Sequence, residues 1–130
     1  MKYIFAFTLI FTTFLSCQSR VETQFSEKAL KDKLINLQDE TVSFQSILDQ
    51  HKGNTIFIDV WASWCKDCLK GLPGVKMLQQ THPEVDFIYL SLDKSKLAWK
   101  KSIDRLEIQG NHFFMQSGWK GALGDFLGLD

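Results

Sequence analysis

The chain has 130 residues, of which 45% are hydrophobic and 23% are charged, values typical of one small globular domain rather than a disordered chain. Fifteen basic residues balance fifteen acidic ones, so charge gives no reason to expect nucleic acid as a partner. The one basic cluster, which we interpret as the solvated face of a helix, comprises Lys94, Lys96, Lys100 and Lys101.

The N-terminal residues MKYIFAFTLIFTTFLSC differ in character from the rest of the chain. The apolar run over residues 3–15 is too short to span a bilayer as a helix, so residues 1–16 are predicted to be an export signal. The ending FLSC resembles the signal of bacterial lipoproteins, which implies that Cys17 is lipidated. Phe14 and Leu15 depart from the usual lipoprotein pattern, and a plain secretory signal is the alternative.

The polar residues 17–32 are predicted to be a tether, which leaves a folded domain over residues 33–130. Residues 33–37 and 41–44 are predicted to be short strands of a β-hairpin around a polar turn. The elements predicted next are a helix over residues 45–51, a strand over 55–62, a helix over 65–81, a strand over 85–92, and a helix with Trp99, Ile103 and Leu106 on one face.

The apolar, β-branched composition of residues 55–62 predicts a strand that is buried on both faces. Pro73 is expected to kink the helix that follows and Pro83 to end it. Asp93 is expected to cap the next helix. After residue 110 the pattern is weaker, and only one short helix is predicted there.

Strand, helix, strand and helix at this spacing predict an α/β domain with a right-handed parallel βαβ unit whose parallel strands are central. The motif Cys65-Lys66-Asp67-Cys68 falls at the C-terminal end of one of these strands and at the start of a helix. Open α/β sheets place their reactive groups at this position.

The cysteine pair has three possible roles: a structural disulfide, half of a metal site, or a redox couple. A disulfide across so short a loop removes only about 2 kcal/mol of chain entropy. A zinc site needs about four ligands, and the chain has no second CxxC motif or spaced histidine pair. His51, His82 and His112 lie near predicted turns and are interpreted as solvated or capping. No metal and no cofactor are predicted.

Redox chemistry requires a reactive thiolate and a second thiol within reach of it, and the CxxC motif offers both. The free N–H groups and the dipole of a helix N-terminus stabilise a thiolate, so Cys65 is expected to be the nucleophile with a lowered pKa. Cys68 lies one turn later and can resolve a mixed disulfide formed at Cys65. Lys66 favours the thiolate and Asp67 opposes it.

The segment FIDVWASWCKDC resembles the active site of thioredoxin-fold proteins. Together with the signal and the later SLD…W segment, it is most similar to the membrane-tethered TlpA/ResA-like thiol–disulfide oxidoreductases. The resemblance covers residues 34–129 and implies a Cys65–Cys68 disulfide shielded by Trp64, with Pro73 as part of the signature. It also implies that Asp59 is a buried acid with a raised pKa that accepts the proton of Cys68; a purely structural aspartate is the alternative.

Two departures from this family are visible. Many members carry a glutamate where this chain has Gly71. The family also places a cis-proline facing the disulfide, followed by further strands and a helix, whereas the only prolines here are Pro73 and Pro83. The chain is therefore expected to be an incomplete thioredoxin-like domain, with an unpaired edge on the strand over residues 55–62 and weak substrate binding.

The resemblance implies an exported, lipid-anchored enzyme of the periplasm or cell envelope. Its partners would be cysteines of exported proteins, apocytochromes among the candidates, together with a redox partner of unknown identity. One alternative is a protein without enzymatic activity whose CxxC binds a soft metal such as Cu(I). The other is an inactive, truncated product.

Overall fold

The computed structural model describes residues 24–129; the predicted signal over residues 1–16 and the lipidation site Cys17 lie outside them. This part of the chain contains five strands and five α-helices. They are α1 (Glu27–Lys31), β1 (Lys33–Ile35), β2 (Thr41–Ser43), α2 (Phe44–Gln50), β3 (Thr55–Trp61), α3 (Lys66–Thr81), β4 (Val85–Ser91), α4 (Lys96–Leu106), β5 (Asn111–Phe114), a 3₁₀ turn (Gly118–Lys120) and α5 (Ala122–Phe126).

The strands form one mixed sheet in the order β2-β1-β5-β4-β3. β3, β4 and β5 run parallel, while β1 is antiparallel to both β5 and β2. The predicted α/β class, the hairpin and the parallel βαβ unit of β3, α3 and β4 are confirmed. The hairpin strands are shorter than predicted, because the Asn36 side chain accepts from the Gln38 and Glu40 amides to close the turn, and because Phe44 already begins α2.

The unpaired edge expected on the strand over residues 55–62 is confirmed within residues 24–129, but the prediction that this strand is central and fully buried on both faces is wrong. Within the described residues β3 is an edge strand that pairs with β4 alone, and only Trp61 of its seven residues is buried. β4 takes the inner position, and its residues Phe87–Ser91 are all buried. The apolar run in β3 therefore reflects two partly covered faces beside one open edge.

Side-chain alternation along the strands divides the core into two layers. Ile88 and Leu90 of β4 pack on one face with Ala29, Phe44 and Leu123, which belong to α1, α2 and α5. Phe87 and Tyr89 point to the other face, where α3 and α4 cover the sheet through Leu72, Trp99 and Ile103. The sheet is therefore sandwiched between two layers of helices, and the CxxC motif belongs to the α3 side.

The predicted polar tether over residues 17–32 extends too far. Ser26 caps α1 through its side chain, Ala29 is fully buried, and the Phe25 ring meets that of Phe44 at a centroid distance of 4.9 Å. Asp32 accepts hydrogen bonds from the Ser117 hydroxyl and from the Leu123 amide at 2.9 Å. The folded domain thus already includes Phe25, rather than beginning at residue 33.

The C-terminal half of the chain matches its predicted elements only in part. Trp99 and Ile103 of α4 are buried as predicted, but Ser95, not Asp93, caps this helix by accepting from the Ala98 amide. β5 and the 3₁₀ turn were not predicted, because four strand residues give too short a pattern to recognise. α5 matches the predicted last helix.

The interpretation of His112 as a solvated or capping residue is also wrong. His112 lies in β5 with 5% of its surface exposed, stacks on Tyr89 at 5.0 Å, and meets the Ile108 carbonyl through Nε2 at 2.9 Å. Burial lowers its pKa, an effect partly opposed by that hydrogen bond. His51 and His82 do occupy helix C-caps, as expected.

Two lysines of the basic cluster are paired rather than simply solvated. Lys96 and Lys100 contact the two carboxylate oxygens of Asp39 at 2.8 and 2.7 Å, and thereby join α4 to the β1–β2 turn. The hydrogen bonds from these two lysines, the larger contribution coming from Lys100, lower the pKa of Asp39 to about 2. Asp39 has a φ of 64°, a conformation that its short polar side chain tolerates.

Candidate active site

The cysteine pair lies where β3 ends and α3 begins. Cys65 is the N-cap of α3, and its Sγ accepts a hydrogen bond from the Cys68 amide at 3.2 Å. The two cysteines form a disulfide with their Cα atoms 5.3 Å apart. A sulfur at the N-cap receives an otherwise unsatisfied N–H and lies at the positive end of the helix dipole. This is the geometry that favours a thiolate at Cys65.

The segment that leads into Cys65 is a tight turn. The Cys65 amide donates to the Ala62 carbonyl at 3.0 Å, and Ser63 within the turn donates its amide N–H to Asp93 Oδ1 at 3.0 Å. The Ser63 hydroxyl donates to the same oxygen. Asp93 follows β4 closely, so its carboxylate joins the ends of β3 and β4.

The residues between the cysteines are solvent-exposed. Lys66 and Asp67 both project outward, and Asp67 pairs with Lys70 at 3.2 Å. Both partners of that pair are more than three-quarters exposed, so it adds little stability. The Lys70 charge nevertheless offsets the Asp67 charge beside the cysteine pair, a contribution that was not expected from the sequence.

Asp59 lies on the α3 side of β3. It shares that face with Phe57 and Trp61, which belong to the same core cluster as Cys68. Burial raises the pKa of Asp59 above its ordinary value of 3.8, as expected from the sequence. Tyr89 stands opposite Asp59 in β4. Its pKa is raised to about 12, mainly by burial and to a smaller extent by the Asp59 charge.

An aromatic pair flanks the disulfide. Trp64 directly precedes Cys65, and its indole stacks on that of Trp119 at a centroid distance of 6.1 Å and an interplanar angle of 19°. Their exposed fractions are 48% and 44%. Trp119 belongs to the 3₁₀ turn, whose position depends on Asp32 and on the close approach of Gly124 to the Trp119 carbonyl.

Pro73 lies inside α3, which continues through it to Thr81 and ends before Pro83, as predicted. Pro73 and Gly71 are both exposed, and Pro73 and Pro83 follow trans peptide bonds. The structure therefore places Pro73 two turns beyond Cys65, away from the sulfur atoms, and offers no acid at position 71. Asp59 is the partly buried acid on this side of β3.

The rest of the described chain offers no competing centre. No three His, Cys, Asp or Glu side chains gather as a metal site would require in residues 24–129. A groove of about 860 Å³ lies at the far end of α3, between Gln79 and Glu107, and so does not include the disulfide. No helix among residues 24–129 is long and apolar enough to cross a bilayer.

Three contributors to the site were not identified from the sequence. Asp93 precedes a helix, which predicts a cap and not its contact with Ser63; Ser63 carries no signal of its own, and Trp119 lies in a segment without a recognisable pattern. The SLD tripeptide at residues 91–93 carried the only usable signal, because a charged residue so close to a buried strand must find a partner there.

Known proteins match part of this sequence. The chain is 30% identical to the thiol-disulfide oxidoreductase ResA of Bacillus cereus over 60 residues, which are 45% of this chain and 35% of ResA. It is 36% identical to an uncharacterised protein of Haemophilus influenzae over 66 residues, 51% of this chain and 37% of that protein. The matches span about a third of the length of these curated relatives.

Solved structures agree on the fold. A solution structure of a Bacteroides vulgatus protein assigned to the thiol-disulfide oxidoreductases matches with a TM-score of 0.65 and 28% identity, over 83% of this chain and 68% of that one. A Chlorobium tepidum protein assigned as the thiol:disulfide interchange protein DsbE matches with a TM-score of 0.61 and 20% identity, over 82% and 72% of the two chains, and shows the fold alone. Residues 53–123, which run from the turn before β3 into α5, match the sequence model described as Thioredoxin-like, and the chain belongs to that family.

Proposed function

We propose that this protein is a thiol–disulfide oxidoreductase that exchanges disulfides with cysteines of other proteins through Cys65 and Cys68. One observation carries the proposal: the sulfur of Cys65 caps α3 and accepts the Cys68 amide hydrogen bond at 3.2 Å. A thiolate held there is stabilised and stays at the protein surface, while Cys68 packs against the core beneath it.

The first step joins the protein to its substrate. In the reduced protein, the Cys65 thiolate attacks one sulfur of a substrate disulfide and forms a mixed disulfide with it. The other substrate sulfur leaves as a thiolate and takes a proton from water. Lys66 and the helix N-terminus favour the attacking thiolate, and Cys65 is partly exposed, which allows a protein substrate to approach.

The second step releases the substrate. Cys68 gives its proton to the Asp59 carboxylate, attacks Cys65 Sγ, and forms the Cys65–Cys68 disulfide, while the second substrate sulfur leaves as a thiolate. Two electrons thus pass from the protein dithiol to the substrate, and the reverse sequence oxidises a substrate dithiol. Asp59 suits this role because it faces the α3 side of β3 and its raised pKa makes it a better base.

The cellular setting is proposed from the N-terminal sequence. A signal over residues 1–16 followed by a lipidated Cys17 would place the domain in the periplasm or cell envelope, anchored to a membrane. Its partners would then be cysteines of exported proteins, with apocytochromes as candidates, and a separate electron donor or acceptor. Cys17→Ser is expected to release the protein from the membrane fraction or block signal processing. Wild-type protein in the soluble fraction with an unmodified Cys17 would contradict the anchor.

The redox proposal is tested by trapping the intermediate. The chain carrying Cys17→Ser, so that two cysteines remain, is reduced and mixed with insulin or another disulfide-bonded protein. The added variant Cys68→Ser is expected to accumulate a mixed disulfide at Cys65, visible as a heavier band that reductant removes. The matched variant Cys65→Ser is expected to form none.

Two results would overturn the proposal. Trapping by Cys65→Ser but not by Cys68→Ser would reverse the roles of the two thiols. Protein that resists alkylation until Cu(I) is removed, and that forms no mixed disulfide, would mean that the pair is a soft-metal site.

A further inference from the structure

We propose that Asp93 is a positioning residue that sets the reactivity of Cys65 by holding the turn that leads into it. The inference rests on the proposed function, since it concerns the same cysteine pair. It gives a role to a buried carboxylate that neither caps a helix nor takes part in the exchange steps above.

The contacts of Asp93 are complete and directional. Only 5% of its surface is exposed. Its Oδ1 accepts from the amide N–H and from the hydroxyl of Ser63, and its Oδ2 accepts from the Ser91 hydroxyl at 2.9 Å. The Asp93 amide in turn donates to Ser91 Oγ at 3.0 Å. A buried carboxylate whose two oxygens both accept hydrogen bonds is held firmly in one orientation.

Ser63 is the link between Asp93 and the disulfide. It lies inside the turn that the Cys65 amide closes onto the Ala62 carbonyl at 3.0 Å. The preceding strand β3 is hydrogen-bonded on one side only among the described residues, so its end has few other restraints. The last ladder contact is that of the Leu92 amide with the Trp61 carbonyl at 2.9 Å. Beyond it, the two hydrogen bonds from Ser63 to Asp93 tie the turn to the end of β4.

The position of this turn matters for the chemistry. Cys65 Sγ lies at the N-cap of α3 and receives the Cys68 amide at 3.2 Å. The stabilisation of a thiolate by helix N–H groups falls off within the first turn, so a small displacement of Cys65 weakens it. Asp93 thus acts on Cys65 through Ser63, without touching either sulfur.

The direction of the effect separates positioning from simple electrostatics. A carboxylate close to a thiolate disfavours the negative charge of the thiolate. If Asp93 acted only through its charge, it would lower the alkylation rate of Cys65, and its removal would raise that rate. A positioning Asp93 has the opposite sign, because its removal loosens the turn and slows alkylation. The other charged groups near Cys65 are Lys66, Asp67 and Lys70 at the start of α3 and Asp59 on β3; all stay unchanged in the variants of Asp93 and Ser63.

The experiment measures the alkylation rate of Cys65 by iodoacetamide from pH 5 to 9, in reduced protein carrying Cys17→Ser. Labelled peptides are resolved so that Cys65 and Cys68 are counted separately. Asp93→Ala and Ser63→Ala are expected to slow Cys65 labelling at pH 6 by about 3- to 10-fold and to move the pH midpoint upward. Asp93→Asn keeps an acceptor for Ser63 while removing the charge, and is expected to restore the rate to within about 2-fold of wild type.

Asp67→Asn is the matched control, because it removes a carboxylate from the same region without touching the turn. It is expected to speed labelling. If Asp93→Ala fails to fold, Ser63→Ala tests the proposal alone, since it removes one hydroxyl from the surface of the turn. Faster labelling in both Asp93 variants would make the role electrostatic, and an unchanged pH profile with lower thermal stability would make it structural; either result overturns the inference.

Alkylation needs no protein substrate, so this result is independent of the trapping experiment. Slower labelling in Asp93→Ala and Ser63→Ala together with failure of Cys68→Ser to trap a substrate would remove the proposed function and leave the positioning role. If Cys68→Ser traps a substrate but the pH profile of Cys65 alkylation is unchanged in Asp93→Ala and Ser63→Ala, the proposed function stands and the positioning role of Asp93 is overturned.

Discussion

The indole rings of Trp64 and Trp119 stack with their centroids 6.1 Å apart, although 55 residues separate them in the chain. One ring belongs to the CxxC segment and the other to the 3₁₀ turn that Asp32 and Gly124 hold in place. Both remain nearly half exposed, so together they form an exposed aromatic platform that begins at the residue before Cys65. Such a platform is suited to contact a substrate side chain next to its cysteine.

We expect Trp119→Ala to weaken the use of protein disulfides while leaving small ones unaffected. An aromatic contact contributes about 0.5–1.5 kcal/mol, so the KM for insulin should rise about 2- to 10-fold. The rate with a small disulfide such as oxidised glutathione should stay within about 2-fold of wild type, since it does not need the platform. Trp119→Phe, which keeps a ring, is the control and should retain most of the affinity. Equal losses with both substrates would show that Trp119 supports the fold and not the substrate.

Asp59→Asn is expected to slow disulfide exchange by about 10- to 100-fold, because it removes the base that accepts the Cys68 proton. Trapping of substrate at Cys65 should remain fast, since only the resolving step is affected. The measurement is the decay of the mixed disulfide between pH 6 and 8. Decay at the wild-type rate across this range would make Asp59 a structural residue.

The same substitution should stabilise the fold at neutral pH. Burial raises the folded-state pKa of Asp59, so the folded protein binds a proton that the unfolded chain has released. The stability contributed by Asp59 is therefore full below about pH 4 and is lost as pH rises through the folded pKa. Asp59→Asn removes this loss, and its melting temperature should exceed that of wild type at pH 7 but not at pH 3.5.

Much of the fold follows from local patterns. The apolar runs of β3 and β4, the start of a helix at the cysteine pair and its stop before Pro83 are contained in short segments of sequence, and the structure confirms them. Strand order is different in kind. That β4 is an inner strand depends on β5, whose four residues pair with β4 residues 23 positions earlier in the chain and leave no local signature.

The residues of the candidate site also fall into those that the sequence reveals and those that it does not. Cys65, Cys68, Trp64 and Asp59 could be identified because they lie within one short segment and share a motif. Ser63, Asp93 and Trp119 could not, because their roles depend on contacts between segments that only folding brings together. Asp93 shows the limit most clearly: its place before a helix suggested a local cap, and the nearby Ser95 took that role instead.

His112 should make stability depend on pH. Burial lowers its folded-state pKa below the ordinary 6.5, so the unfolded chain takes up a proton there before the folded protein does. Stability should therefore fall as pH drops below about 6.5. His112→Gln can still donate to the Ile108 carbonyl but does not titrate, and its unfolding free energy should fall less between pH 7.5 and 5.5.

The control for this prediction is His82→Gln, which changes an exposed C-cap of α3. Urea unfolding at several pH values measures the slope for each variant. The slope of the His82 variant is compared with that of His112→Gln over the same pH values. A wild-type slope in His112→Gln would mean that other groups, such as the carboxylates, carry the acid sensitivity.

Two glycines in helices should respond to alanine in opposite directions. A Cβ on Gly124 of α5 would clash with the Trp119 carbonyl oxygen and lie 2.6 Å from that of Gly118, both backbone atoms that cannot turn aside. A Cβ on Gly74 of α3 would meet nothing within 4 Å. Gly74→Ala should therefore stabilise the protein by about 0.5–1 kcal/mol through helix propensity.

Gly124→Ala should instead cost about 1–3 kcal/mol, as overpacking does, because the 3₁₀ turn has to move away from α5. That movement carries Trp119 away from Trp64, so the variant should also show the higher KM for insulin expected of Trp119→Ala. Chemical unfolding and insulin reduction, measured side by side with Gly74→Ala, check both parts. A stabilised Gly124→Ala variant with unchanged KM would show that the turn and α5 are not packed this closely in solution, and the aromatic platform would lose its structural basis.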